Sequence, residues 1–318
     1  MPIIKSTYKA PFYYFNGHLQ TILPSVFRKV QLDGMVRERL ELPDDDFVDI
    51  DLLRKGNKRI AILTHGLEGN STRTYILGMA KILSEQGFDI CAWNCRSCSG
   101  EMNRQMRMYN HAEIGDIGEV IKHCISIGYE DISLIGFSMG GSITLNYLGN
   151  HGHNIPSQVK KGVAISAPCD LVSSVGLLNK RSNYLYKKKF LDRLSAKMIE
   201  KDKRFPGVID LNNLKKIKKW EDFDVYFSSP INSFKSPQDF YERASAINTM
   251  HQISVPTYIL TALNDPLLSE ACYPYKLAEE NDNLHLEVTK TGGHIGYSLH
   301  NEEYTYSEKQ TLIFLNNH

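Results

Sequence analysis

The chain is 318 residues long, with 42% hydrophobic residues, 23% charged residues and a formal net charge of +1. These fractions are typical of a folded globular domain and exclude a disordered chain. The near-neutral balance gives no indication of a nucleic-acid partner. The N-terminal residues lack the apolar segment of a signal peptide, and no apolar run is long enough to cross a bilayer. Six scattered cysteines predict no disulfide framework, so we expect a cytoplasmic protein.

Strand and helix patterns alternate along most of the chain. Residues 1–30 are aromatic-rich and are predicted to be irregular, and a hairpin follows them. The predicted strands are 36–42, 47–53, 59–64, 88–93, 132–135, 162–166, 256–261 and 285–289, and the predicted helices include 71–86, 271–279 and 304–315. Such alternation predicts a mostly parallel sheet with helices on both faces and ligands at the carboxyl ends of the strands.

A basic stretch interrupts this alternation. Residues 171–220 contain 14 Lys or Arg and four Asp or Glu. We therefore predict three parts, in which residues 1–170 and 251–318 form the core and residues 171–250 form a largely helical cap inserted over the site.

Ser138 lies at the centre of the sequence G-F-S-M-G, between the predicted strand 132–135 and a helix that begins near Ile143. A sharp turn from strand to helix exposes a serine for nucleophilic attack, and it leaves room only for small residues two positions away. Gly136 and Gly140 occupy those positions. The pattern predicts a catalytic serine, although a G-x-S-x-G sequence also occurs in ordinary turns.

Two further loops at strand ends supply partners for this serine. Asp265 follows the strand 256–261, and His294 follows the strand 285–289. We predict that His294 is the general base and that Asp265 orients it, which gives the triad Ser138, Asp265 and His294. Asp170, which follows the strand 162–166, is the competing acid.

The backbone N–H groups of Leu67 and Met139 are the predicted oxyanion hole, because one follows the strand 59–64 and the other follows Ser138. No nucleotide-binding motif follows a strand, so no cofactor is expected. The cysteines at 91, 95 and 98 lack the paired spacing of a zinc site, and no metal is expected. The spacing of His111 and Asp116 is similar to that of some acyltransferases, but a helix-capping loop is the favoured interpretation.

These motifs together resemble an α/β hydrolase, and more narrowly the YheT-like family that includes the yeast medium-chain fatty acid ethyl ester synthase/esterases. The resemblance spans nearly the whole chain. It depends on the motifs N-G-H-L-Q-T-I, H-G-L-E-G-N-S, N-C-R-S-C-S-G, G-F-S-M-G-G, N-D-P-L and G-G-H-I-G-Y. Two positions differ from the family pattern, since Ser97 replaces a glycine and Asn264 replaces an aspartate.

The resemblance implies serine-dependent hydrolysis of short- to medium-chain or lipid esters through a covalent acyl-serine. An alternative is acyl transfer to an alcohol by the same triad, and a catalytically inactive binding module is a third hypothesis. The cap adds an apolar stripe and a group of cations that could attract anionic lipid or acyl-CoA. These residues are Leu191, Leu194 and Met198, with Lys187, Lys188, Lys189, Arg193, Lys197 and Lys201.

Overall fold

The apolar strands of the sequence form a single sheet in the computed structural model, which describes residues 3–317. Within these residues the strands are β1 (Ile3–Ile4), β2 (Val36–Glu41), β3 (Phe47–Leu53), β4 (Arg59–Thr64), β5 (Phe88–Trp93), β6 (Asp131–Phe137), β7 (Val159–Ile165), β8 (Thr257–Ala262) and β9 (Leu284–Thr289). Their order across the sheet is β1-β9-β8-β7-β6-β4-β5-β3-β2. The pairs β2–β3 and β3–β5 are antiparallel, and the remaining pairs are parallel.

Helices connect and cover these strands. The α-helices are α1 (Gly17–Phe27), α2 (Thr74–Glu85), α3 (Gly115–Ser126), α4 (Met139–His151), α5 (Leu171–Leu178), α6 (Tyr184–Arg204), α7 (Trp220–Phe223), α8 (Ser229–Ile231), α9 (Pro237–Ala244), α10 (Tyr275–Glu280) and α11 (Tyr306–Asn317). A π-helical turn spans Asp224–Ser228. Short 3-10 turns span Gly152–Asn154, Arg181–Asn183, Leu211–Lys216, Ala246–Asn248, Met250–Gln252 and Glu270–Cys272.

The central strands are buried on both faces, as the continuous apolar runs predict. In β4, Ile60 and Ile62 pack in one core cluster with α3 and α4, whereas Ala61 and Leu63 pack in a second cluster with α2 and α11. Because the side chains of a strand alternate between faces, the two clusters lie on opposite sides of the sheet. The fold is therefore a mostly parallel sheet covered by helices on both faces, as predicted.

Residues 171–250 lie between β7 and β8 and contain the helices α5 to α9. Their buried residues Leu194, Met198 and Trp220 belong to the same core cluster as Met139, which follows the predicted nucleophile. The segment thus packs against the carboxyl edge of the sheet. Its treatment as a separate cap remains a prediction.

The prediction that residues 1–30 are irregular was wrong for residues 17–27, which form α1, and residues 1–2 lie outside the described part of the chain. The Asn16 side chain caps this helix by accepting a hydrogen bond from Leu19 N at 2.9 Å. Pro24 lies inside the helix. Because proline usually ends a helix, its presence argued against a helix prediction for this segment. The predicted helix 271–279 is likewise divided at Pro274, into a 3-10 turn and α10.

No helix within residues 3–317 combines the length and the apolar character needed to span a membrane. The cytoplasmic location remains a prediction.

Candidate active site

Ser138 lies in a strained turn between β6 and α4, with φ 53° and ψ −119°. The surrounding backbone is so close that a Cβ on Gly136 would lie 2.0 Å from Gly140 O, and a Cβ on Gly140 would lie 2.2 Å from Thr64 O. Only glycine fits at either position. The sequence G-F-S-M-G therefore forms the sharp strand-to-helix turn that the motif predicts.

The structure brings the three predicted catalytic side chains into one chain of contacts. His294 Nε2 lies 2.7 Å from Ser138 Oγ, and His294 Nδ1 lies 2.8 Å from Asp265 Oδ2. Asp265 is buried, and its other oxygen accepts a hydrogen bond from Leu267 N at 2.8 Å. The carboxylate is thereby fixed against the imidazole, which is the geometry required for activation of the serine.

Asp170, the competing acid, has a different position. It is the N-cap residue of α5, where its carboxylate accepts a hydrogen bond from Ser173 N at 2.8 Å. Among residues 3–317 it makes no hydrogen bond to His294. Its carboxylate therefore satisfies a helix terminus and does not orient the base.

Helix α1 holds the loop that carries His294, a role that the sequence interpretation missed. Thr21 Oγ1 accepts a hydrogen bond from His294 N at 2.8 Å. Gln20 Oε1 accepts hydrogen bonds from Gly292 N at 2.6 Å and from Asn264 Nδ2 at 3.0 Å. The motif N-G-H-L-Q-T-I that carries these residues was the available signal, although its composition alone suggested no chemistry.

Asn264, one of the two departures from the family pattern, fits this arrangement. Its Oδ1 accepts a hydrogen bond from Gly293 N at 3.1 Å, while its Nδ2 donates to Gln20. An ionised aspartate could accept the first bond but could not donate the second. The amide thus joins the loop of the acid, the loop of the base and α1.

Ser97, the other departure, has φ 60°, a backbone conformation that favours glycine. Its N–H donates to Asn103 Oδ1, and its Oγ accepts a hydrogen bond from Asn103 N at 3.2 Å. The hydrogen bonds with Asn103 hold Ser97 in this conformation. The loop can therefore form with serine in place of glycine.

The loop after β4 lies against the nucleophile. A Cβ on Gly66 would be 3.2 Å from Ser138 Cβ. Gly66 N donates to Tyr75 Oη at 3.1 Å, and Gly66 O lies 2.7 Å from His65 Nδ1. Within the described part of the chain, the N–H groups of Leu67 and Met139 have no hydrogen-bond acceptor. Both remain available for an oxyanion, and their role stays a prediction.

His65 fixes this loop in a defined protonation state. Its Nε2 accepts a hydrogen bond from Cys95 N at 3.0 Å, so Nδ1 carries the proton that is donated to Gly66 O. Complete burial lowers the pKa of His65 to about 4. The imidazole is therefore neutral near pH 7 and acts as a structural support for the turn.

Ser138 lies between a large outer cavity and a smaller inner cavity. The inner space consists of two small cavities of about 60 and 50 Å³ that share an apolar lining, which includes Leu171, Val175 and Trp220. The outer cavity is much larger, at about 540 Å³, and is lined by residues of α1, the loop after β4 and α6. Ser138 and His294 border the outer cavity and one inner cavity.

The cations of α6 do not act together as a charged face. Lys197 Nζ lies 2.7 Å from Glu68 Oε1, and Lys201 is fully buried with its ammonium donating to the carbonyl oxygens of Asn103 and Gln105. For these two lysines the prediction of a charge available to attract anions was wrong. Since their spacing resembled that of exposed lysines, the sequence did not indicate their burial.

The remaining candidate groups do not form a second site. All six cysteines are free and buried. Asp116 is paired with Arg96 at 2.8 Å, whereas the His111 ring lies beside Phe240 at the inner cavity. Within residues 3–317 no group of three or more His, Cys, Asp or Glu residues could hold a metal ion.

The fold and the serine-centred site together are those of an α/β hydrolase. A family model described as the alpha/beta hydrolase fold matches residues 62–300. Because this match covers more than half of the chain, the chain belongs to that family, which confirms the class inferred from the motifs.

Individual relatives are consistent with this class. The chain is 29% identical over 291 residues to YheT of Escherichia coli (strain K12), covering 89% of this chain and 85% of that protein. It is 26% identical over 309 residues to Phospholipase ABHD3 of Homo sapiens, covering 93% of this chain and 75% of that protein. The structure of the Pyrococcus furiosus esterase Pf2001 is similar in fold, with a TM-score of 0.58, 17% identity and coverage of 91% and 95%.

Proposed function

We propose that the protein hydrolyses carboxylic esters of short- to medium-chain acyl groups through a covalent acyl-Ser138 intermediate. The observation that carries the proposal is the hydrogen-bonded chain from Asp265 through His294 to Ser138, with heavy-atom distances of 2.8 and 2.7 Å. Ser138, the last member of this hydrogen-bonded series, borders an inner cavity that could receive an acyl group. Relatives named as a phospholipase and as a monoacylglycerol lipase support an ester as the substrate class.

In the first half of this reaction, Ser138 Oγ attacks the ester carbonyl carbon while its proton passes to His294 Nε2. The carbonyl oxygen becomes an oxyanion that accepts hydrogen bonds from the N–H groups of Leu67 and Met139. When the intermediate collapses, the bond to the alcohol oxygen breaks and that oxygen receives the proton from His294. The alcohol leaves, and the acyl group stays on Ser138.

In the second half, a water molecule attacks the acyl carbon and gives one proton to His294 Nε2. The bond between Ser138 Oγ and the acyl carbon then breaks, Oγ regains the proton, and a carboxylic acid is released. Asp265 keeps the imidazole oriented and stabilises the imidazolium that forms in both halves. The same acyl-enzyme could transfer its acyl group to an alcohol in place of water.

The decisive experiment is active-site labelling combined with turnover. A fluorophosphonate probe should modify Ser138, as located by peptide mass spectrometry, and p-nitrophenyl butyrate should be hydrolysed. Ser138→Ala should abolish labelling and lower kcat by roughly 10⁶-fold, as in other serine triads. Retention of most activity by Ser138→Ala would refute the proposal. Adding glycerol and comparing new ester with free acid separates transfer from hydrolysis.

A further inference from the structure

Three cations surround the outer cavity beside Ser138. The guanidinium of Arg73 donates to Glu68 O at 2.9 Å, and that of Arg193 donates to the same carbonyl oxygen at 3.1 Å. Lys189, one turn before Arg193 on α6, lines the same cavity. These residues come from the start of α2 and from α6, so they meet only in the folded protein.

Within residues 3–317 none of these cations forms an ion pair with a carboxylate. Glu68 is the only acidic residue in the described lining of the cavity, and its carboxylate binds Lys197 Nζ at 2.7 Å and the hydroxyl of Tyr109. Arg28, a fourth cation of the lining, is paired with Glu308 at 2.6 Å. Among the described residues, Arg73, Lys189 and Arg193 therefore have no carboxylate partner at ion-pair distance.

The three cations also repel one another. The pKa of Lys189 is lowered from its ordinary value, first by partial burial and then by the charges of Arg193 and Arg73. An anionic ligand bound beside these cations would offset their mutual repulsion. Each of the two guanidiniums has five N–H donors and retains unused ones after its bond to Glu68 O. Anionic oxygens are good acceptors for such donors.

We propose that Arg73, Lys189 and Arg193 form a subsite for an anionic oxyacid group, of which phosphate is the type case, on the alcohol half of the ester substrate. This inference rests on the proposed function. It narrows the substrates to amphiphilic esters that carry an apolar acyl group at one end and an anionic group at the other.

The position of the cations decides which half of the ester carries the anion. The inner cavities are lined mainly by apolar side chains, where burial of an unpaired charge would be costly. An acyl group therefore belongs inside and the alcohol belongs in the outer cavity. Because Ser138 borders both spaces, an ester carbonyl placed between them can be attacked while its two halves occupy different surroundings.

The test compares two esters with the same acyl chain, monooctanoylglycerol and its phosphate monoester. For the unsubstituted protein we expect kcat/KM to be at least about 10-fold higher for the phosphate ester, as one or two charge-assisted hydrogen bonds would give. In Lys189→Gln this ratio should fall by about 10-fold. Lys188→Gln is the matched control, because Lys188 is an exposed neighbour paired with Asp192 that does not line the cavity, and its ratio should be unchanged.

Binding gives a readout that does not require turnover. Ser138→Ala should bind the phosphate ester more tightly than the neutral ester in calorimetry, and Lys189→Gln introduced into Ser138→Ala should reduce this difference, because Arg73 and Arg193 remain. Equal ratios for Lys189→Gln and the unsubstituted protein, together with equal binding, would overturn the subsite. Inorganic phosphate that binds as tightly as the phosphate ester would also overturn it, since the site would then hold free anions. Selective binding without hydrolysis of either ester would support the subsite and refute the proposed hydrolysis.

Discussion

Asp265 and Asp170 are both carboxylates that follow strands of the sheet, and their surroundings separate their roles. Asp265 is buried against His294 Nδ1, whereas Asp170 caps α5. We expect Asp265→Asn to lower kcat for p-nitrophenyl butyrate by about 10⁴-fold, because an amide cannot stabilise the imidazolium and favours the wrong tautomer.

Asp170→Asn is the control for this prediction, since asparagine caps helices as well as aspartate does. It should retain nearly full activity. A larger loss for Asp170→Asn than for Asp265→Asn would place the acid of the triad at the end of β7.

Protonation of His65 makes the free energy of unfolding depend on pH. Its pKa is lowered by burial from 6.5 to about 4 in the folded protein, so between these values the unfolded chain binds more protons. The stability that neutral His65 contributes is therefore present above about pH 6.5 and is lost as the pH falls toward 4. The size of this effect is about 3 kcal/mol at most.

We expect the difference in free energy of unfolding between the unsubstituted protein and His65→Gln to shrink over this pH range. Urea unfolding at a series of pH values measures it, and subtracting the variant removes the contributions of other titrating groups. A difference that stays constant from pH 6.5 to 4 would contradict the burial of a neutral imidazole.

Helix α1 acts on the site as an element, because its Gln20 and Thr21 side chains hold the backbone of the loop that carries His294. Thr21→Val keeps the shape of the side chain and removes the acceptor for His294 N. We expect kcat to fall by about 10- to 100-fold with little change in KM, since a small displacement of a catalytic group has a large effect on rate.

Two further variants separate positioning from general destabilisation. Thr21→Ser retains the hydroxyl and should restore most of kcat. Phe27→Ala removes an exposed side chain from the last turn of the same helix and should leave kcat unchanged. An unaltered kcat in Thr21→Val would show that the loop holds its position without α1.

At the scale of the whole molecule, the proposed placement of the acyl group in the small inner cavities predicts a preference for acyl length. Each buried methylene contributes about 0.8 kcal/mol, so kcat/KM should rise about fourfold per methylene until the inner space is filled and should then fall. A panel of p-nitrophenyl esters from acetate to palmitate measures this optimum. Absence of any optimum would contradict an enclosed acyl site.

The inner lining offers a matched pair of variants. Val175 borders both inner cavities, and Val175→Phe should shift the optimum to shorter esters. Val172→Phe places the same ring on the exposed side of α5 and should not shift it. Equal profiles for the two variants would locate the acyl group elsewhere.

The sequence predicted the sheet and the three candidate catalytic side chains because each side chain directly follows an apolar strand, a local pattern. It did not predict α1, since Pro24 conflicts with helix propensity and tertiary contacts to Asn264 and Gly292 decide the structure there. It also could not separate Lys197, which pairs with Glu68, from Lys189, which pairs with no carboxylate within residues 3–317. That difference depends on contacts between segments more than 100 residues apart in the chain.

The contacts of α1 with the His294 loop have a consequence for synthesis on the ribosome. Thr21 is synthesised before His294, its hydrogen-bond partner, which lies 273 positions later in the chain. Strand β1 likewise cannot pair until β9 has been synthesised, because Ile3 pairs with Leu286. Ser138 is likewise synthesised 156 residues before His294, its proposed base. We therefore expect Ser138 to react with a fluorophosphonate probe only after the segment that carries His294 has been synthesised and folded.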